Sequence, residues 1–289
     1  MLHSTTTHVI QSKLSLEDTI RGLAKAGFPA IDLNMCGEYD YVLADDYKET
    51  AAKLRALADE LGVIFNQTHA PFAKYEKYVN EMVPNMPRFV EFSGLIGAKT
   101  IVIHPIQRST HHYKYSEELF HENMAFYSSL APTAKKFGIK IGIENMWQCR
   151  PVSNIIDDSA CADPVEFNRY YDTLNDPEAF TVCLDIGHVP LCGRDPVDVI
   201  HALGSRIGAL HVHDVDFVDD THTLPGLGNI EWDGVCRALA DVGYSGDFTL
   251  ESTRFPQHYE ADFMPSVLKF MNDVAAYYAA KVEAYKAAK

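Results

Sequence analysis

The sequence lacks the features that would place it in a membrane or outside the cell. No run of apolar residues approaches the roughly 18 that a membrane-spanning helix requires. The N-terminal segment 1–15 has no basic flank followed by an apolar stretch, so it does not resemble a signal peptide. The six cysteines form no CxxC pair and are too sparse for a disulfide framework. We therefore expect a cytoplasmic protein with reduced thiols and no membrane partner.

Positive charge is also scarce. Lys and Arg number 25 against 40 Asp and Glu, which gives a formal net charge of −15. Proteins that bind nucleic acid non-specifically usually carry a basic patch, so this balance argues against a nucleic-acid partner. Apolar residues make up 47% of the 289 positions, which is enough for a full core. No linker, low-complexity segment or charge block divides the chain, and we interpret residues 1–289 as a single domain.

Short apolar, β-rich runs alternate with longer amphipathic stretches along the whole chain. The runs predict eight strands, at 6–10, 30–34, 63–69, 99–104, 139–144, 180–185, 207–213 and 246–251. The stretches between them predict eight helices, at 15–26, 43–61, 78–97, 116–137, 164–173, 196–204, 232–242 and 263–282. Gly27 and Gly138 each follow a predicted helix, at the position that favours a left-handed backbone.

Alternating strands and helices argue for a parallel sheet. Eight such units in a chain of this length fit an α/β protein that forms one (β/α)8 TIM barrel, with its active site at the C-terminal ends of the strands. An open doubly wound sheet is the competing architecture, but the G-x-G-x-x-G that usually opens its first helix is absent. The connections 145–163 and 214–231 are long and loop-like, so we expect them to lie over the barrel mouth.

Side chains that can bind a metal ion stand at or just after the ends of the third to eighth predicted strands. They are His69, His104, Glu144, Asp185, His188, His211, Asp220, His222 and Glu251. In a barrel the strand ends converge on one mouth, so these side chains would share one pocket. Imidazole and carboxylate ligands without cysteine suit manganese, cobalt, iron, zinc or magnesium. A single core histidine or helix-capping aspartate would be unremarkable, but the whole set is hard to explain without a metal site.

Three other features near these strand ends are ambiguous. His211 and His213 are two positions apart, and we expect only one of them, His211, to face the barrel axis. Trp147 and Trp232 are expected in loops above the mouth, where an aromatic face can stack on a sugar ring or simply pack. The adjacent His111 and His112 resemble a ligand pair, but we interpret them as a surface loop.

Seven stretches together resemble a known superfamily. They are THAPF (68–72), VIHP (102–105), GIEN (142–145), CLDIGH (183–188), LHVHD (210–214), DTHTLPGLGNIEW (220–232) and LES (250–252). The resemblance is to the xylose isomerase-like TIM barrels, which include sugar isomerases, sugar epimerases, inosose dehydratases and endonuclease IV.

The resemblance implies a site for one divalent metal ion. Its ligands would be Glu144, Asp185, His211 and Glu251, with Mn²⁺ as the first candidate and Co²⁺, Mg²⁺, Zn²⁺ or Fe²⁺ as alternatives. The expected substrate-binding residues are His188, His69, His104, Trp147, Asp220 and His222.

The implied function is an isomerase or epimerase for a sugar or sugar derivative. A proton next to a carbonyl would be removed and returned by the catalytic residues Glu144 and Glu251, through an enediolate that the metal stabilises. The segment 214–220 lacks the arginine that ketose 3-epimerases carry after strand seven, which favours a sugar derivative over a free ketohexose. The family also leads us to expect a homo-oligomer, either a dimer or a tetramer.

Three alternatives remain open. The nine metal-capable residues match the nine ligands with which endonuclease IV binds three zinc ions, which would make the protein a nuclease for abasic DNA. Few basic residues stand in the loops that would meet DNA, because 34–47 has none and 66–77 has only Lys74 and Lys77. A lyase or dehydratase acting on a keto-inositol or keto-glycoside would use the same proton abstraction. A non-catalytic binding barrel is the third alternative.

Overall fold

The computed structural model describes residues 1–11, 13–108 and 112–289, so His111 of the interpreted surface loop lies outside the described residues. Eight parallel strands form one sheet. They are β1 (His3–Thr6), β2 (Ala30–Asn34), β3 (Ile64–His69), β4 (Thr100–Ile103), β5 (Lys140–Glu144), β6 (Phe180–Asp185), β7 (Ile207–His211) and β8 (Phe248–Leu250). From β1 to β7 each strand pairs with the next along the chain, and β8 pairs with β1.

The sheet closes between β7 and β8. Just beyond the end of β7, the Val212 amide donates to the Thr249 carbonyl at 2.9 Å, and the Glu251 amide donates to the Val212 carbonyl at 2.9 Å. The parallel bridge between Val212 and Leu250 therefore completes the ring. The prediction of a (β/α)8 TIM barrel is confirmed.

One principal helix follows each strand and covers the outside of the barrel. The helices are α1 (Leu16–Ala26), α2 (Tyr47–Leu61), α3 (Met86–Leu95), α4 (Glu117–Phe137), α5 (Pro164–Leu174), α6 (Pro196–Leu203), α7 (Trp232–Asp241) and α8 (Met264–Ala287). The Ser15 side chain caps α1 by accepting from the Asp18 amide. Gly27 ends α1 with φ at 104°, which glycine adopts without steric cost. No helix in the described ranges is both long and apolar enough to cross a membrane.

The first strand begins earlier than its predicted position at 6–10. Its sequence, HSTT, contains no apolar residue, so a search for apolar runs passes over it. Its buried hydroxyls are instead satisfied inside the barrel, because Ser4 Oγ donates to Thr249 Oγ1 at 2.9 Å. The chain then turns through a short 3-10 segment, Thr7–Val9.

Two further predictions were wrong in detail. The helix expected over 78–97 is split, because a π turn at Tyr78–Met82 and a 3-10 turn at Val83–Asn85 precede α3. A proline stands in the first turn of both the 3-10 segment and α3, a position where proline starts a helix rather than continuing one. The connection 145–163 is not wholly loop, since its segments Trp147–Cys149 and Ile156–Asp158 form an antiparallel hairpin.

Alternate residues of the strands divide the molecule into an apolar shell and a polar interior. Residues such as Ile141 and Ile143 of β5 point outward into the large core beneath the helices. Inside the barrel, the small apolar cluster consists of Val102, Cys183 and Ala209. The next inward positions toward the mouth are polar, and this polar layer is where the candidate site lies.

Candidate metal centre and active site

A cavity of about 210 Å³ opens at the C-terminal ends of the strands. Its lining combines imidazoles and carboxylates with aromatic and aliphatic walls. The lining residues are His69, Phe72, His104, Gln107, Glu144, Met146, Trp147, His188, Asp220, His222 and Glu251. Eight of the ten site residues expected from the sequence therefore line one cavity, while Asp185 and His211 are fully buried beside it.

Glu144, Asp185, His211 and Glu251 form a tight group at the base of this cavity. Each offers one ligand atom, and these atoms all lie within 4.8 Å of one another. Nδ1 of His211 lies 2.8 Å from Oε1 of Glu144 and 3.5 Å from Oε2 of Glu251, so two carboxylates flank the same edge of one imidazole. The structure thus brings together the four candidate ligands that the family resemblance implied.

The ends of β5 and β6 are tied together by one side-chain amide. Asn145 donates from Nδ2 to the Asp185 carbonyl at 2.9 Å and accepts from the Asp185 amide at 2.8 Å. These paired bonds fix the relative positions of Glu144 and Asp185, which stand at the last residues of the two strands. Asn145 therefore orients two of the four candidate ligands without being a ligand itself.

The group has unbalanced negative charge that a cation would satisfy. Oδ2 of Asp185 is buried and has no hydrogen-bond partner among the described residues. Burial by itself raises the pKa of Glu144, but the neighbouring His211 and His104 hold that pKa well below its ordinary value. Burial lowers the pKa of His211, but Glu251 and Glu144 outweigh it and raise that pKa to about 10. The residues present therefore fit a divalent metal ion that accepts mixed carboxylate and imidazole ligands.

A second metal-capable group adjoins the first. His188, His213, Asp220 and His222 also offer ligand atoms within 4.8 Å of one another. Nε2 of His222 lies 3.0 Å from Oδ2 of Asp220, and the rings of His213 and His222 stack with their centroids 3.9 Å apart. The two groups are linked, because Nε2 of His213 lies 3.1 Å from Oδ1 of Asp185.

A third group overlaps the first on its other side. It consists of His69, Glu144 and His211. Nε2 of His69 lies 3.6 Å from Oε2 of Glu144, and Nε2 of His104 lies 3.0 Å from the same oxygen. Glu144 is therefore the carboxylate that the first and third groups share.

Backbone carbonyls fix the orientation of three of these imidazoles. Nδ1 of His69 lies 2.7 Å from the Ala70 carbonyl, and Nδ1 of His188 lies 2.9 Å from the Asn145 carbonyl. Nδ1 of His222 lies 2.8 Å from the carbonyl of Glu251. A carbonyl can only accept, so each Nδ1 carries the proton, which leaves Nε2 as the nitrogen that can face a metal or substrate. For His222, that nitrogen already lies against Asp220.

His213 is the site residue that the sequence interpretation misplaced. The expectation that only one of His211 and His213 faces the barrel axis was wrong, because residues two apart on an extended chain point to the same side. Both imidazoles are fully buried. Gly187 accommodates the second one, since a Cβ at that position would lie 2.1 Å from Cε1 of His213. The glycine in CLDIGH was the available signal for this packing.

The two tryptophans differ in position. Trp147 lines the cavity, with its ring centroid 6.3 Å from that of His188. Trp232 does not lie in a loop above the mouth, because it starts α7 and is buried. Its Nε1 donates to Oδ2 of Asp214 at 2.8 Å, so it anchors the connection between β7 and α7. Phe72 supplies the other aromatic wall, and its ring centroid lies 4.3 Å from that of His104.

A closed parallel barrel whose mouth carries clustered carboxylates and imidazoles defines a TIM-barrel protein with a candidate metal centre. Residues 20–272 match the family described as the xylose isomerase-like TIM barrel. The chain belongs to this family.

Two curated relatives cover most of the barrel. An uncharacterized protein of Methanocaldococcus jannaschii is 27% identical over 217 residues, which span 72% of this chain and 71% of the relative. Inosose isomerase of Bacillus subtilis is 24% identical over 193 residues, which span 64% of each chain.

Solved structures share the whole fold. A D-tagatose 3-epimerase-like protein superposes with a TM-score of 0.72 at 23% identity, covering 96% of this chain and 99% of that one. D-psicose 3-epimerase, solved in the presence of D-fructose, superposes with a TM-score of 0.74 at 15% identity over the same shares of the two chains. At these identities the likeness establishes the architecture.

Proposed function

We propose that the protein is a metal-dependent isomerase or epimerase for a sugar or sugar derivative. The observation that carries the proposal is the placement of Glu144 and Glu251 together at Nδ1 of His211, within a group that fits one divalent ion. Similarity to an inosose isomerase supports a carbohydrate substrate, as does the fold shared with a D-tagatose 3-epimerase-like protein and a D-psicose 3-epimerase. Mn²⁺ remains the first candidate for the ion.

Glu144, Asp185, His211 and Glu251 would hold the ion. When bound, a divalent metal supplies Lewis acidity toward a substrate carbonyl and a neighbouring hydroxyl, which acidifies the adjacent C–H. A carboxylate of the pair Glu144 and Glu251 removes that proton, and its counterpart returns one. Return to the opposite face of the same carbon gives an epimer, whereas return to the neighbouring carbon gives an isomer.

The remaining cavity residues bind and orient the substrate. Nε2 of His188 and Nε2 of His69 are available to hydroxyl groups, because backbone carbonyls hold their Nδ1 protons. Phe72 and Trp147 form apolar walls that suit the C–H faces of a sugar.

Solvent-deuterium exchange tests this function directly. The metal-loaded protein is incubated in D₂O with a panel of ketoses, aldoses, keto-inositols and their phosphate esters, and products are read by mass spectrometry and NMR. Incorporation of one deuteron next to a carbonyl, with inversion or carbonyl migration, supports the proposal. Loss of water from the exchanged substrate would assign a dehydratase instead. Exchange with none of these compounds would overturn the proposal.

A second candidate is favoured by the three overlapping metal-capable groups. Their members include eight of the nine residues that match the ligands of an endonuclease IV-type nuclease with three zinc ions. The ninth, His104, has its Nε2 3.0 Å from Oε2 of Glu144. Elemental mass spectrometry of protein purified without chelator separates the two candidates. About one ion per chain supports the isomerase, whereas about three zinc ions per chain and incision of a duplex with an abasic site support the nuclease.

A further inference from the structure

A second, larger cleft lies beside the metal-capable cavity. It has a volume of about 690 Å³ and lies between the β7–α7 connection and the segment that follows β8. Its lining includes a carboxylate, a guanidinium, an imidazole and a phenyl ring. The lining residues are Asp216, Thr221, Thr223, Leu227, Gly228, Arg254, Phe255, Gln257 and His258.

The cleft and the cavity share one wall. His222 lines the cavity, and the next residue toward the N-terminus, Thr221, lines the cleft. Glu251 lines the cavity, and Arg254 lines the cleft three residues later. The two segments are joined where the Arg254 amide donates to the His222 carbonyl at 3.2 Å. A ligand that fills the cavity therefore has the cleft as its immediate neighbour on this side.

Arg254 brings to the cleft a guanidinium that is not engaged in an ion pair within the described residues. Seven of the ten arginines pair with a carboxylate, which is expected in a chain with net charge −15. Arg254 is exposed and forms no ion pair within the described part of the chain. Asp216 is the carboxylate of the lining, but its Oδ1 already accepts from the Val218 and Asp219 amides.

We propose that this cleft binds an anionic oxygen group of the substrate, a phosphate or a carboxylate, through the guanidinium of Arg254. The proposal rests on the proposed function, and it makes the substrate an acidic sugar derivative whose reacting carbons occupy the cavity. The cavity volume of about 210 Å³ is below the roughly 300–1,000 Å³ of typical small-molecule sites, and the cleft adjoins it as further space for a substrate. A guanidinium presents a fork of N–H donors that matches both oxyanions.

Anion binding tests the cleft independently of turnover. The metal-loaded protein is titrated calorimetrically with inorganic phosphate and, separately, with acetate, and the variant Arg254→Gln is titrated in the same way. The matched control is Arg55→Gln, because Arg55 is an exposed arginine of α2 that also has no ion pair in the described ranges. We expect Arg254→Gln to weaken binding of the preferred anion by about tenfold or more, and Arg55→Gln to change it by less than about twofold. The anion that binds more tightly shows whether the substrate group is a phosphate or a carboxylate.

The rate of solvent-deuterium exchange into substrates provides the second test. For a neutral ketose and its phosphate or acid derivative, Arg254→Gln should lower kcat/KM for the anionic compound alone. Anion binding that is equal in wild type and Arg254→Gln, or absent from both, would overturn the proposed cleft. If anions bind through Arg254 but no carbohydrate undergoes exchange, the cleft stands and the isomerase proposal fails.

Discussion

Oδ2 of Asp32 lies 3.8 Å from Nε2 of His211, with both side chains fully buried inside the barrel. The opposite nitrogen of His211, Nδ1, faces Glu144 and Glu251. Neither oxygen of Asp32 has a hydrogen-bond partner in the described residues, and burial raises the pKa of Asp32 to about 6. Asp32 thus stands behind the imidazole, where a carboxylate can hold the Nε2 proton and leave Nδ1 as the ligand atom.

Asp32→Asn is expected to weaken metal binding without removing a ligand. The amide no longer favours the Nε2–H form of His211, so we expect metal affinity to fall by about 10-fold to 100-fold. Competition with a fluorescent chelator measures the affinity. Asp216→Asn, at the rim of the neighbouring cleft, is the control and should leave the affinity unchanged. Equal affinities in Asp32→Asn and wild type would show that Asp32 does not position His211.

Glu144→Gln and Glu251→Gln are each expected to abolish turnover. A glutamine keeps the shape of the side chain but cannot accept the substrate proton, and it is a poorer metal ligand. The measurement is the deuterium-exchange rate, with circular dichroism as the check on folding. Retention of a tenth or more of the wild-type rate in either variant would contradict a mechanism that needs both carboxylates.

Gly187→Ala is expected to destabilise the protein through His213. The new Cβ would lie 2.1 Å from Cε1 of that ring, a contact that forces the imidazole or the backbone to move. We expect the free energy of unfolding to fall by about 1–3 kcal/mol, as in other overpacked interiors. Urea unfolding measures the change.

The double variant Gly187→Ala/His213→Ala separates this contact from a general effect of the substitution. His213→Ala removes the ring that the methyl group meets. The cost of Gly187→Ala should therefore be smaller in the His213→Ala background than in wild type. An equal cost in both backgrounds would mean that the clash is with other atoms.

The sequence predicted the barrel because most of its strands are buried apolar runs, and β6 was predicted with its observed bounds of 180–185. It could not predict β1, whose buried hydroxyls bond to β8, since that partner is far along the chain. The four candidate ligands were named from the family motifs, and the structure brings them together. Asp32 and Arg254 were not found, because their significance depends on a neighbouring imidazole and on a cleft that exist only in the folded barrel.

Stability should fall with rising pH because of Glu166, a buried carboxyl outside the candidate metal centre. Tyr113 Oη donates to its Oε1 at 2.6 Å, but burial dominates and raises the pKa of Glu166 to about 7 from an ordinary value of 4.5. The native state therefore keeps a proton that the unfolded chain releases. This contribution is complete below the unfolded pKa and is lost as pH rises through the folded pKa.

Between about pH 5 and about pH 8, wild type should lose about 2 kcal/mol more unfolding free energy than Glu166→Gln. Urea unfolding at both pH values measures the difference, with the exposed Glu76→Gln as the control. If Glu166→Gln and Glu76→Gln show the same pH dependence, Glu166 does not retain its proton in the folded protein.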